Sequence, residues 1–250
     1  GTWNAYGTFD AWDDLRTFVL NNDMSNDANY AYVTERLDPL SLIDYVTLNG
    51  HVVCADWLNY NTSWWHSTDN QVRWRYTLWD MDATFGDYVN YTGIPDQSPN
   101  ADPCNVEAPE LDDPEQQIGM FSALLNNEQF RSMYINRYAE LNNTVFSCDF
   151  MLNLLNQMVA RLEPEMPKHV ARWGGTMVEW EANVQDIRDF IETRCTVIDQ
   201  GIVDCYDVTG PFPLTVVVEP PLSGNVTLNT LELQNYPFTG DYFGDISVNA

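Results

Sequence analysis

Residues 71–79 read QVRWRYTLW, and the run alternates: Val72, Trp74, Tyr76 and Leu78 fall on one side, Arg73, Arg75 and Thr77 on the other. A period of two over this length specifies a half-buried strand. The preceding NTSWW at 61–65 and the turn-like STDN at 67–70 supply a partner strand and a connection, so a β-hairpin is expected here. On both sides of it the period is helical. A lone hairpin between helical stretches restricts the chain to an α+β arrangement, a mainly helical body holding one small sheet.

The helical stretches are recognisable one by one. Residues 9–20 place Trp12, Leu15 and Val19 on one face. Asp38-Pro39 is a helix start, a capping residue followed by a proline whose missing N–H costs nothing in the first turn. The helix after it is expected to end near Ala55. Residues 92–115 are rich in Pro, Asp and Asn and read as a loop, with 96–115 expected to be a solvated acidic insertion. Helical patterns resume in IGMFSALLNN, EQFRSMYINRYAELNN and CDFMLNLLNQMVARLEPEM. A last helix carries Trp180, Val184, Ile187 and Ile191 on one face. Past Cys205 the segments PLTVVVE, GNVTLN and DISVNA are β-branched and punctuated by Gly and Pro. The expected division is a helical lobe over 1–205 and the start of a β-rich extracellular module over 210–250.

Charge excludes several partners. The chain carries 37 acidic against 11 basic residues, a formal charge of -26, and its only lysine is Lys168. Such a chain is not built to neutralise nucleic-acid phosphates or to sit on an anionic membrane, and no apolar run is long enough to insert in one. The stretch between Arg75 and Arg131 holds acids and no base. The cysteines at 54, 104, 148, 195 and 205 form no C-x-x-C pair, which argues against a zinc ribbon or a thioredoxin-type site. Cys195 with Cys205 and Cys104 with Cys148 are candidate disulfides, leaving Cys54 odd; buried free thiols are the alternative. Asn61, Asn90, Asn142 and Asn225 begin N-x-S/T sequons.

No G-x-S-x-G, H-E-x-x-H or glycine-rich phosphate loop occurs, and His51, His66 and His169 are scattered enough to read as structural. Asp80 and Asp82 resemble the start of a calcium loop, but Phe85 stands where such a loop needs glycine. The informative segment is 44–87. Asp56 lies in the loop after a helix, Asn61 follows five residues later at the start of the first strand, and Asp80 and Asp82 end the second. The open end of the hairpin can bring these groups together. Carboxylate and amide oxygens are hard donors that suit Mg²⁺, Mn²⁺ or Ca²⁺. Protein kinases use the same order: a catalytic-loop Asp, an Asn five residues on that binds metal, and after a hairpin an Asp that ligates the metal on the nucleotide phosphates. Trp64, Trp65, Trp74 and Trp79 read as core.

The motifs DPLSLIDYVTLN, ADWLNYN, VRWRYTLWDMDATFGD and HVARWGG…MVEWEANVQDIRDFIETR together resemble the CotH family of secreted, spore-coat-type atypical kinases, over roughly residues 10–200. The resemblance implies a protein-kinase-like fold, of which this chain would be the C-terminal lobe, and transfer of the γ-phosphate of ATP to a protein hydroxyl with Mg²⁺ or Mn²⁺. It implies a secreted or cell-surface location and an extracellular or surface protein substrate. By position Asp56 matches the catalytic Asp, Asn61 the metal-binding Asn, Asp80 the principal metal Asp, and Asp82 a further metal or water contact. The family's paired asparagines are Tyr60-Asn61 here. No lysine precedes Lys168 to anchor the α- and β-phosphates, so the nucleotide-covering lobe is expected to be missing. The rival expectation is a non-catalytic extracellular module that binds calcium or polysaccharide. The sequence leaves the oligomeric state open.

Overall fold

A computed structural model describes residues 2–67, 73–87, 89–221 and 223–250. The elements run α1 (Asp10–Asn21), α2 (Asp27–Thr34), α3 (Pro39–His51), β1 (Ser63–Trp65), β2 (Arg75–Thr77), a 3-10 turn (Pro103–Glu107), α4 (Gln117–Leu124), α5 (Glu128–Asn142), α6 (Cys148–Leu162), α7 (Met166–Trp173) and α8 (Met177–Tyr206). Four short strands follow: β3 (Phe212–Val216), β4 (Thr227–Leu228), β5 (Leu231–Glu232) and β6 (Phe238–Tyr242). The architecture is α+β, helical with small antiparallel sheets.

α1 buries the expected face, Trp12, Leu15 and Val19. α3 begins at Pro39 as its sequence requires, but Asp38 makes no capping bond. Its carboxylate instead meets Arg75 at 3.0 Å and Arg73 at 3.7 Å, which ties the helix start to the hairpin. α3 ends at His51, earlier than expected, because Val53 turns the chain with φ of 50°.

In the hairpin Ser63 faces Thr77, Trp64 faces Tyr76 and Trp65 faces Arg75. Val72 and most of the expected 67–70 turn lie outside the described residues. Trp64 and Trp74 pack on Trp12 at ring-centroid distances of 5.1 and 5.2 Å. Trp65 and Trp79 do not join the core; they are 47% and 64% exposed. Neighbours on a strand face opposite sides, so two consecutive tryptophans cannot share one face, and Trp79 lies beyond the end of β2 where the alternation lapses.

The acidic segment is not the solvated insertion that its composition suggests. Ile94, Ala101, Pro103 and Val106 are buried. Asp113 accepts from the N–H groups of Gln117, Ile118 and Gly119 at 2.8, 2.7 and 3.4 Å, capping α4. Gly201 lets this segment lie against α8: a Cβ there would come within 2.6 Å of the Pro103 ring.

Both expected disulfide pairings are wrong. Cys104 bonds Cys205 and Cys148 bonds Cys195, while Cys54 is free and buried. Cys195 and Cys205 lie on one continuous helix, α8. Ten residues of helix rise about 15 Å, far beyond a disulfide's reach. Peptide mapping of the unreduced protein is expected to recover 104–205 and 148–195 linkages and no 195–205 linkage. Since 101 residues separate Cys104 from Cys205, replacing both by serine is expected to cost about 3–5 kcal/mol in chemical denaturation.

α6 and α7 bury no residue completely. They stand beside the N-terminal half of α8, where Trp180, Val184 and Ile187 are only half-buried. The deep packing of α8 is in its second half, with Phe190, Ile191, Ile198 and Ile202.

The β-rich segment packs on α5. Leu228, Leu233, Tyr242 and Phe243 are buried in the same core as the helices. Glu140, fully buried, accepts from the backbone N–H of Thr230 at 3.0 Å and from its hydroxyl. Asn143 donates to the Asp241 carbonyl and accepts from its N–H, both at 2.8 Å.

Candidate catalytic site

The site grows from the C-terminal end of α3. Its Tyr45 stacks on Tyr76 of β2 at 5.0 Å, and its hydroxyl lies 3.2 Å from Thr62 Oγ1 and 3.4 Å from the Asn61 carbonyl. The end of the 55–61 loop is thereby set between helix and hairpin. Asn61 stands just before β1, and Asp80 just after β2, so both occupy the open end of the hairpin.

Asn61 Nδ2 donates to Asp56 Oδ2 and to the Asp56 carbonyl, both at 3.1 Å. With Nδ2 turned that way, Asn61 Oδ1 stays available to a cation. Asp56 Oδ1 is shielded from solvent and has no hydrogen-bond partner among the described residues. Burial pushes the Asp56 carboxyl above its usual range; the charges of Asp82 and Asp80 push the same way, and Asn61 opposes them. Asp80 and Asp82 are both exposed. The four groups singled out in the sequence therefore share one neighbourhood. Among the described residues no three His, Cys, Asp or Glu side chains converge as a ready-made metal cage.

The backbone beneath the site is held in an unusual form. Val53, Asp80 and Phe85 have φ of 50°, 50° and 59°, the left-handed region. For a β-branched valine that conformation is costly and persists only where surrounding bonds impose it. Those bonds are here: Cys54 N–H to Asn49 O at 2.9 Å, Ala55 N–H to Ala83 O at 2.8 Å and Phe85 N–H to Val52 O at 2.9 Å. The last two join the Asp56 loop directly to the segment after Asp80. Cys54, below it, is no nucleophile: burial, more than the nearby carboxylates, pushes its thiol up to about 11.

Exposed aromatic rings border the carboxylates. Tyr60 is 71% exposed and lies 6.5 Å from Tyr91, and Trp79 precedes Asp80. Sequence reasoning missed Tyr45 and Thr92. Tyr45 sits in a helical run whose pattern signals only burial, and Thr92 sits in a stretch with no period.

A loop carboxylate bound to an amide five residues on thus stands beside two aspartates at the open end of a hairpin, within a mainly helical α+β body. The chain belongs to the CotH kinase protein family, whose family model matches residues 3–198. No curated protein and no solved structure matches it.

Proposed function

We propose that the chain carries the catalytic segment of a secreted or cell-surface CotH-type kinase that transfers the γ-phosphate of ATP to a hydroxyl of an extracellular or surface protein. The observation that carries this is the Asn61–Asp56 pair beside Asp80 and Asp82. Asp56 is the base: it stands five residues ahead of Asn61, in the kinase order, and its carboxyl is held above the usual range, with Oδ1 left unpartnered beneath the surface. Asn61 holds the other carboxylate oxygen and so orients the base. Asn61 Oδ1, Asp80 and Asp82 would hold the divalent cation. Magnesium or manganese on a nucleotide takes one or two protein carboxylates and completes its shell with phosphate and water, so this donor set is sufficient without a preformed cage. When bound, the cation neutralises the phosphates and the nucleotide supplies the phosphoryl group.

Location has independent support. Two disulfides are present, and among the described residues no helix is long and apolar enough to cross a membrane. Disulfides persist in oxidising compartments.

In the full-length parent, Asp80→Ala is expected to lower phosphotransfer at least 100-fold and to abolish the Mg²⁺ dependence of ATP binding. Unchanged ATP binding and phosphotransfer in that variant would sink the proposal. A second function, a non-catalytic calcium- or polysaccharide-binding module, draws on the exposed rings of Tyr60, Trp65 and Trp79. Calorimetry separates the two: heat with Mg·ATP supports the kinase, whereas heat with Ca²⁺ or a polysaccharide and none with Mg·ATP supports the module.

A further inference from the structure

We propose that Thr92 is the positioning residue of the site, holding the chain on both sides of Asp56 and so aiming its carboxylate; this rests on Asp56 being the base. Thr92 is fully buried. Its backbone N–H donates to the carbonyl of Ala55 at 2.9 Å, and its Oγ1 accepts from the N–H of Trp57 at 2.9 Å. Ala55 and Trp57 are the two neighbours of Asp56, so one residue fixes the peptide units before and after the carboxylate.

Thr92 is itself anchored. Its carbonyl accepts from the N–H of Asp112 at 2.9 Å, and the adjacent Tyr91 N–H also reaches the Ala55 carbonyl, at 3.0 Å. Asn59 Nδ2, inside the Asp56 loop, bonds the Tyr91 carbonyl at 3.0 Å and Asp112 Oδ2 at 2.8 Å. The two segments are therefore cross-tied at Ala55, Trp57 and Asn59. With the flanking peptides fixed, Asp56 keeps only its side-chain torsions, and Asn61 restrains those. A base must lie within hydrogen-bond reach of its proton, and a displacement of about 1 Å can cost roughly 100-fold in rate. Removing the Thr92 hydroxyl leaves the Trp57 N–H buried without an acceptor, and it will turn towards another one.

Thr92→Val keeps the shape and removes the acceptor, whereas Thr92→Ser keeps the acceptor. In the full-length parent, with Mg·ATP and myelin basic protein as acceptor substrate, Thr92→Val is expected to lower kcat about 10- to 100-fold with KM for ATP within about twofold of wild type. Thr92→Ser is expected to stay within about threefold. Amide exchange by NMR gives a readout independent of activity: the Trp57 N–H should lose at least about tenfold of its protection in Thr92→Val and keep it in Thr92→Ser. Retained Trp57 protection or unchanged kcat in a folded Thr92→Val protein overturns the proposal. Should Thr92→Val not fold, Asn59→Ala cuts the second tie at a half-buried position. It is expected to speed exchange at Thr92 and to lower kcat, and the absence of both effects overturns the proposal. If the full-length parent transfers no phosphate at all, the kinase proposal fails and the aiming role with it, while Trp57 protection still shows whether the two-sided hold exists.

Discussion

Arg194→Met is expected to lower the free energy of unfolding by about 3–5 kcal/mol and the melting temperature by roughly 10 °C, read by urea and thermal denaturation. Arg194 is 1% exposed and, among the described residues, meets no carboxylate; its guanidinium serves carbonyls instead. Nε reaches the His51 carbonyl and Nη2 the Gly50 carbonyl, both at 3.0 Å, and Nη1 reaches Pro99 at 3.3 Å and also Ala101. Gly50 and His51 end α3, where unpaired carbonyls and the negative end of the helix dipole favour a cation. Pro99 and Ala101 belong to the acidic segment. One side chain of α8 thus caps α3 and secures the loop that carries Thr92 towards Asp112. Methionine fills a similar volume but leaves the carbonyls without donors. Arg194→Lys keeps the charge and loses the planar fork, so it is expected to recover less than half of the lost stability.

The second large effect depends on pH. His51 is 2% exposed, its ring stacks on Phe146 at 4.1 Å, and among the described residues neither ring nitrogen has a hydrogen-bond partner. Burial, and then the charge of Arg194, lower its pKa from 6.5 to about 3. Between those values the unfolded chain binds a proton that the folded chain refuses. The contribution is fully present above pH 6.5 and is lost as pH falls, at about 1.4 kcal/mol per unit. Across the whole window this amounts to about 5 kcal/mol. Glu107, Asp113 and Asp199 act oppositely: burial raises each carboxyl above its ordinary value, so the folded state takes up those protons first and gains stability on acidification. Comparing wild type with His51→Gln isolates the histidine. Their difference in unfolding free energy is expected to change steeply between pH 6 and 4 and to be flat above pH 7. A flat difference throughout would mean that His51 titrates normally. Arg194→Met removes the second cause, so in that background the lower end of the histidine window should rise and the total loss on acidification should shrink.

Residues close in sequence made part of this protein readable. Helical periodicity placed α1, α3, α5 and α8, and alternation placed the hairpin, because a repeat of 3.6 or 2.0 residues is a property of one segment. Asp56 and Asn61 were legible as a pair for the same reason: five residues of one loop span the distance between them. Asp80 followed once the hairpin was drawn, since the strand pairing fixes which residues meet at its open end.

Tertiary structure decided the rest. Composition made 96–115 look solvated, yet Val106 and Ala101 are core and Asp113 caps a helix. The cysteines nearest in sequence looked like partners, but the continuity of α8 separates Cys195 from Cys205 and the packing of α8 on the 103–107 turn brings Cys205 to Cys104. Thr92 with Ala55 and Trp57, and Arg194 with the end of α3, likewise meet across long stretches of chain. The sequence alone determined the main helices and the hairpin, because those depend on backbone period and short spacing. Only the packed structure determined what holds them, because a buried donor or acceptor is satisfied by whatever group packing brings within about 3 Å, and no local pattern records that neighbour.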